Sequence, residues 1–394
     1  MPKKTSNDPI LYYARENQPA LAAFLRAMVE CESPSDDPYS VTRFVDLFAE
    51  SVSDIAVCRR VSGGMKYGPH LQCEFRLPGP SNRRLPGQIL ALGHSDTVWP
   101  LGTLQQMPWR AEKGRYWGPG VLDMKAGLAF FVFAMRALRE LDWPVERKVV
   151  LQLNSDEEVG SHSSRALTEK EGRRSAVVLV LEPGTGLAGK LKTARKGVGG
   201  FRVAAHGKAS HAGVDFAAGA SAIDELAFQI EKIRTFTQLD RGVTVNVGVM
   251  AGGTRTNVVA AEATADVDFR IPRLADYATL QRKFGALKAR DKRCRLEVTG
   301  DLNRPPMERT REIAAHFKTA ARLAKEMGVD LEESSTGGGS DGNFTAALGI
   351  PTLDGLGAVG EGAHALNESI LIDRIADRTA LLAKLVRELS RQAK

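Results

Sequence analysis

Three apolar runs, at residues 88–93, 149–153 and 177–181, each end abruptly at a polar cluster. Each run is the length of a strand, too short for a helix of its own. Helical spacing surrounds them. Leu21, Phe24, Leu25 and Met28 recur at that spacing, as do Val41, Phe44, Val45 and Phe48, and a long helix reads over 124–139 between the first two runs. Alternating strands and helices of this kind predict an α/β sheet with a substantial parallel portion.

The pattern changes near Lys192. Strands read over 198–206, 243–250, 262–270 and 295–299, and helices over 220–236 and 275–289. Ala263, Ala265, Val267 and Phe269 alternate cleanly along the third of these strands. The order βαββαβ is that of a ferredoxin-like split-βαβ unit. A helix over 308–327, closed by Gly328, resumes the first style, and a last helix reads over 372–390. A chain of 394 residues is long enough for more than one core. The expected architecture is a discontinuous α/β domain (1–192 plus 304–394) with a smaller domain (193–303) inserted into it.

Composition removes several classes. Hydrophobic residues make up 43% and charged residues 26%, as in soluble globular proteins. No apolar run approaches the ~20 residues that span a bilayer, so no membrane role is expected. The basic start has no apolar stretch behind it, which predicts a cytoplasmic protein. Cys31, Cys58, Cys73 and Cys294 are scattered without a CxxC pair, against both a disulfide framework and a thiolate metal site. The net charge of +7 raises nucleic acid as a partner. Its densest basic stretch, 288–295, lacks aromatic residues for base stacking and reads as a solvated face, so no nucleic-acid partner is expected. Anionic small substrates fit that charge equally well.

Chemistry-bearing residues sit where the apolar runs stop, and ligands of open α/β sheets bind outside the carboxyl ends of strands. The first run leads into His94-Ser95-Asp96, the second into Asp156-Glu157-Glu158 and the third into Leu181-Glu182-Pro183, while Asp123 introduces the long helix. Taken singly, each reads as a cap or a solvated turn. Together they form a set of carboxylates around one imidazole, which repel one another when buried unless a cation neutralises them. Such donors suit zinc, with manganese or cobalt as substitutes.

The motifs His94-Ser95-Asp96, Gly120-Val121-Leu122-Asp123-Met124-Lys125, Asp156-Glu157-Glu158-Val159-Gly160 and Leu181-Glu182-Pro183 resemble those of the co-catalytic dinuclear zinc peptidases. That family includes aminoacylase, acetylornithine deacetylase, succinyl-diaminopimelate desuccinylase and glutamate carboxypeptidase. It implies a fifth ligand near the C-terminus, where Ala363-His364-Ala365-Leu366-Asn367-Glu368 offers a histidine. By resemblance, Asp123 bridges two zinc ions per subunit, His94 and Glu182 complete one site, and Glu158 and His364 the other. Asp96 orients His94, and Glu157 is the general base that activates a water. A cis peptide is implied at Asp123–Met124. Ala126 stands where many relatives carry glycine. His162 is read as a side chain near the cleft, and His70, His206 and His316 as structural or exposed.

Within the insert, Gly207-Lys208-Ala209-Ser210-His211-Ala212-Gly213 resembles a family motif whose histidine stabilises the oxyanion in the partner subunit, which implies a homodimer through the inserted domain, acting there as a lid. Without that resemblance, His211 reads as a surface residue in a turn. Asn257 and Arg270 match substrate-binding positions. Arg270 suits a substrate carboxylate, its alternative being an ion pair with Asp266 or Asp268. Thr336-Gly337-Gly338-Gly339-Ser340 lacks the Lys-Ser/Thr ending of a phosphate loop and resembles the triple-glycine loop of the glutamate carboxypeptidase branch, which places Gly338 and Gly339 beside the substrate. The implied reaction is hydrolysis of the amide bond to a C-terminal amino acid in a small peptide. Deacylation of an N-acyl amino acid, and a noncatalytic metal-binding dimeric scaffold, are the competing readings.

Overall fold

Alternation of buried strands with helices produces a mixed, largely parallel sheet. The computed structural model describes residues 8–80 and 84–392; the basic start at 1–7 lies outside them. Six strands run in the order Ala56–Val61, His70–Phe75, Lys148–Asn154, Gln88–His94, Ser175–Val180 and Thr352–Leu353. The first two pairings are antiparallel and the other three parallel. Gln88–His94 lies between Lys148–Asn154 and Ser175–Val180, with His94 level with Asn154 and Leu92 level with Val180. This register brings three predicted strand ends to one edge.

The helix Ala126–Glu140 is buried over nearly its whole surface, as expected of one that is apolar all round. It starts two residues later than its spacing predicts. Residues 121–125 form a wide turn in which Asp123 and Met124 leave helical geometry, and the Asp123–Met124 peptide is cis. Gly127 explains the close approach of this helix to the sheet, since a Cβ there would stand 2.1 Å from the main-chain oxygen of Leu181. The neighbouring Ala126 is accommodated, fully buried.

The edge strand 56–61 and its neighbour 70–75 escape the hydrophobic pattern because Arg59, Arg60, Gln72 and Glu74 interrupt it. Cys58 and Cys73 face each other across this pair as free thiols, with sulfurs 3.2 Å apart. A further sheet of four short strands, containing Arg115–Trp117 and Ser369–Leu371 as neighbours, was equally invisible to periodicity. No helix among the described residues is long and apolar enough to cross a membrane.

The chain separates into two compact units. One comprises Met1–Ala194, Arg309–Thr336 and Ser340–Lys394, and the other Arg195–Glu308 with Gly337–Gly339. In the smaller unit the strands Thr244–Gly252, Glu262–Ile271, Gly197–His206 and Arg295–Arg304 lie side by side, every pairing antiparallel. With the helices Ala222–Arg234 and Leu274–Gly285, they give the βαββαβ order and the strand arrangement of a ferredoxin-like unit. Phe201, Phe269 and Phe284 stack in its core.

Candidate metal centre

Five donor side chains converge at the carboxyl edge of the parallel strands. His94 ends its strand nearly without solvent exposure, and its Nε2 lies 3.2 Å from Asp123 Oδ1 and 3.7 Å from Glu182 Oε1. His364 approaches the other side, its Nε2 3.3 Å from both Asp123 Oδ2 and Glu158 Oε2. The two oxygens of Asp123 therefore face different imidazoles. His364 takes a left-handed backbone conformation, φ 60°, in the turn that presents it. Donor atoms of His94, Asp123 and Glu158 lie within 4.8 Å of one another, as do those of His94, Glu157 and Glu182.

The donor chemistry fits a divalent cation. Glu158 Oε1 is buried with no hydrogen-bond partner among the described residues, a costly state for a carboxylate oxygen. Protonation reports the same excess of negative charge. Asp123 and Glu158 push the His364 imidazole up to about 10. Burial opposes protonation of His94, yet Asp123 and Asp96 hold its pKa well above the ordinary range. Burial alone would raise the Asp123 carboxyl, but His364 and His94 carry it far below the usual value. Burial lifts Glu158 to about 7, with His364 partly offsetting it. A metal ion would displace protons from both imidazoles.

Asp96 contacts both the His94 ring and the paired glutamates. His94 Nδ1 lies 2.9 Å from the main-chain oxygen of Asp96 and 3.5 Å from its carboxylate, so the closer contact to the ring is backbone. The carboxylate instead accepts hydrogen bonds from the main-chain N–H of Glu157 (3.2 Å) and Glu158 (3.1 Å), and from Ser35 Oγ (2.7 Å). Asp96 thus holds the backbone of the paired glutamates. Asp156, adjacent to them, turns inward and accepts from Ser163 N (2.6 Å) and Ser163 Oγ (2.8 Å). The three consecutive acids 156–158 do different jobs because neighbouring side chains point different ways.

Three buried residues here have no role assigned from the sequence. Glu368, 0% exposed, accepts hydrogen bonds from Gly120 N, Leu122 N, Asp123 N and Trp99 Nε1. His70 contacts Ser155 and Ser163 through its two ring nitrogens. Asp341 accepts from Asn154 Nδ2 (2.5 Å) and from Ser161 Oγ. Glu368 lies in the same motif as His364, but only its fold shows what it reaches. His162 is exposed, while His206 pairs with Glu262 at 2.7 Å.

The remaining predicted residues belong to the smaller unit. His211 is exposed, its backbone bridged to Val258, and Ala212 N donates to the main-chain oxygen of Asn257 at 2.9 Å. His211 and Asn257 are therefore on adjacent segments. Arg270 is engaged bidentately by Asp268, at 2.9 and 3.0 Å, the ion-pair alternative raised by its sequence context. Its Nη1 lies 3.4 Å from the main-chain oxygen of Gly337. The carbonyls of Gly338 and Gly339 accept from Arg195 Nη1 at 3.1 and 3.0 Å.

Histidines and carboxylates that can hold a metal ion gather at the end of a mixed α/β sheet, and comparison with known proteins identifies the chain as a metal-dependent hydrolase. Residues 90–388 match Peptidase family M20/M25/M40, and the chain belongs to that family. It is 27% identical to carboxypeptidase G2 of Pseudomonas sp. (strain RS-16) over 391 residues, covering 97% of this chain and 92% of that protein. It is 29% identical to the succinyl-diaminopimelate desuccinylase of Ectopseudomonas mendocina over 315 residues, covering 72% and 79%. Among solved structures, aminopeptidase PepT from Bacillus cereus superposes with a TM-score of 0.79 at 24% identity, covering 95% of this chain and 99% of that one. The resemblance read from the motifs and the α/β fold expectation both stand.

Proposed function

We propose that the protein is a zinc-dependent carboxypeptidase that hydrolyses the amide bond to a C-terminal amino acid, with glutamate as the first residue to test. The observation that carries the reading is Asp123, whose Oδ1 faces His94 and whose Oδ2 faces His364, so that this one carboxylate would be able to serve two cations. His94 and Glu182 would hold one zinc ion, Glu158 and His364 the other. When bound, the ions supply Lewis acidity that lowers the pKa of water and polarises the scissile carbonyl. Glu157 accepts the proton of the attacking water and delivers it to the leaving amine. Asp96 keeps Glu157 and Glu158 in place through their backbone N–H groups. In the smaller unit, His211 and Asn257 would donate to the substrate, His211 acting from a partner subunit. Gly338 and Gly339 would line its approach. Arg270 would bind the terminal carboxylate by exchanging it for Asp268.

The peptidase reading is supported by likeness to carboxypeptidase G2 over nearly the whole chain. The likeness to a desuccinylase favours a second reading, hydrolysis of an N-acyl amino acid. A panel of N-acyl and dipeptide substrates, varied at the C-terminal residue and at the acyl group, separates the two. Chelator-sensitive release that discriminates the C-terminal residue supports the carboxypeptidase. Discrimination by the acyl group alone overturns it in favour of the deacylase.

A further inference from the structure

Glu368 belongs to no strand-end motif, yet its carboxylate accepts four hydrogen bonds beside the candidate centre. It is 0% exposed. Oε1 accepts from Leu122 N at 2.8 Å and Asp123 N at 3.0 Å, while Oε2 accepts from Gly120 N at 2.9 Å and Trp99 Nε1 at 2.8 Å. Burying a charge without pairing costs several kcal/mol, so this acid persists only because four donors converge on it.

Those donors lie in an unusual piece of backbone. Gly120 has φ 70°, where a Cβ would also come within 2.7 Å of Thr97. The chain then makes the wide turn 121–125, in which Asp123 and Met124 are non-helical. A regular helical start would offer its first N–H groups to a capping side chain on its own N-terminal side. Here the cap arrives from a distant segment. Ser369–Leu371 pairs with Arg115–Trp117, Ser369 level with Trp117, and this pairing delivers Glu368 to the turn just beyond Trp117. Glu368 also follows His364 closely, linked back through Glu368 N to Ala365 O and Ala365 N to Gly362 O, both 2.9 Å.

We infer that Glu368 is a positioning residue that sets the backbone of Gly120–Asp123 and ties it to the turn carrying His364, so that the Asp123 carboxylate stands between the two imidazoles. The inference rests on the reading of Asp123 as a metal bridge. A glutamine at 368 would test the acceptor geometry directly. Both carboxylate oxygens each accept two N–H groups, whereas an amide has one accepting oxygen and would turn its NH2 toward one pair of donors.

The test measures zinc affinity by competition with a chromophoric chelator, together with kcat, KM and the melting temperature of the metal-free protein. Glu368→Gln is expected to weaken zinc binding about 10–100-fold, the scale for partners that orient ligands, and to lower kcat at zinc saturation while KM stays within about threefold of wild type. Glu368→Asp, which keeps the charge but draws it back by one methylene, is expected to lie between the two. A purely structural role would lower the melting temperature and leave the affinity of the folded fraction intact. Wild-type zinc affinity in folded Glu368→Gln overturns the inference. If that variant does not fold, Glu368→Asp decides, weakened affinity supporting and wild-type affinity overturning. Asp123→Ala is the companion measurement: if it binds zinc like wild type, the metal-bridge reading itself fails. If it loses zinc while Glu368→Gln does not, only the role of Glu368 fails.

Discussion

Asp123 and His364 meet through a single pair of atoms, Oδ2 and Nε2, 3.3 Å apart, leaving the other Asp123 oxygen to His94 at 3.2 Å. Neither oxygen is shared. This division of one carboxylate between two imidazoles is the observation on which the proposed two-cation centre rests.

Asp123→Asn should therefore damage both halves of the centre. An amide presents one oxygen and one NH2, so one imidazole would lose its acceptor. Total zinc affinity should fall by more than the ~10–100-fold typical of losing an outer partner. Metal content after dialysis, measured by inductively coupled plasma mass spectrometry, checks this; wild-type content would remove Asp123 from the centre.

Glu157→Ala should keep its metal and its fold but lose turnover by about 10²–10⁴-fold, the usual contribution of a positioned general base. A zinc-loaded variant with unimpaired kcat would assign the proton transfer elsewhere.

Zinc binding should strengthen as pH rises. His364 is pushed up to about 10 and Glu158 to about 7, so at neutral pH the imidazole carries a proton and the carboxyl is close to half protonated. Zinc must displace these protons, which costs less as they are lost. Between pH 6.5 and 8.5 the apparent affinity should climb by about tenfold per pH unit for each proton released. Calorimetry in buffers of different ionisation enthalpy counts the protons; a pH-independent affinity would contradict the assignment.

Asp96→Asn removes one of the two oxygens that hold Glu157 N and Glu158 N. The expected loss is about 10–100-fold in kcat with metal retained. Loss of His94-dependent metal binding instead would mean that the Asp96 carboxylate acts mainly on the imidazole.

Asp268→Asn should release Arg270 from its bidentate partner. If Arg270 binds the substrate carboxylate, KM should drop on the order of threefold, the scale of one exposed ion pair, with kcat little changed. An unchanged KM would leave Arg270 a structural residue.

How much of this was legible in the sequence follows from range. His94, Asp156–Glu158 and Glu182 announce themselves because each ends an apolar run, and parallel register then aligns those ends, His94 with Asn154 and Leu92 with Val180. Burial and alternation are local signals. The helix reads from Met124 because apolar spacing is helical there, whereas residues 121–125 form a wide turn held by long-range contacts to Glu368. Glu368 itself looks like a solvated acid until the pairing of Ser369 with Trp117 buries it. The strands at 56–61 and 70–75 escape periodicity because Arg59, Arg60, Gln72 and Glu74 break their apolar pattern.

The central claim is best tested by an anomalous-diffraction map from crystals soaked in zinc and recorded on either side of the zinc absorption edge. A centre of two ions should give two peaks about 3.5–4 Å apart, as in two-metal sites, one beside each oxygen of Asp123, with His94 and His364 on opposite ions. A single peak, or peaks that Asp123 does not separate, would contradict it.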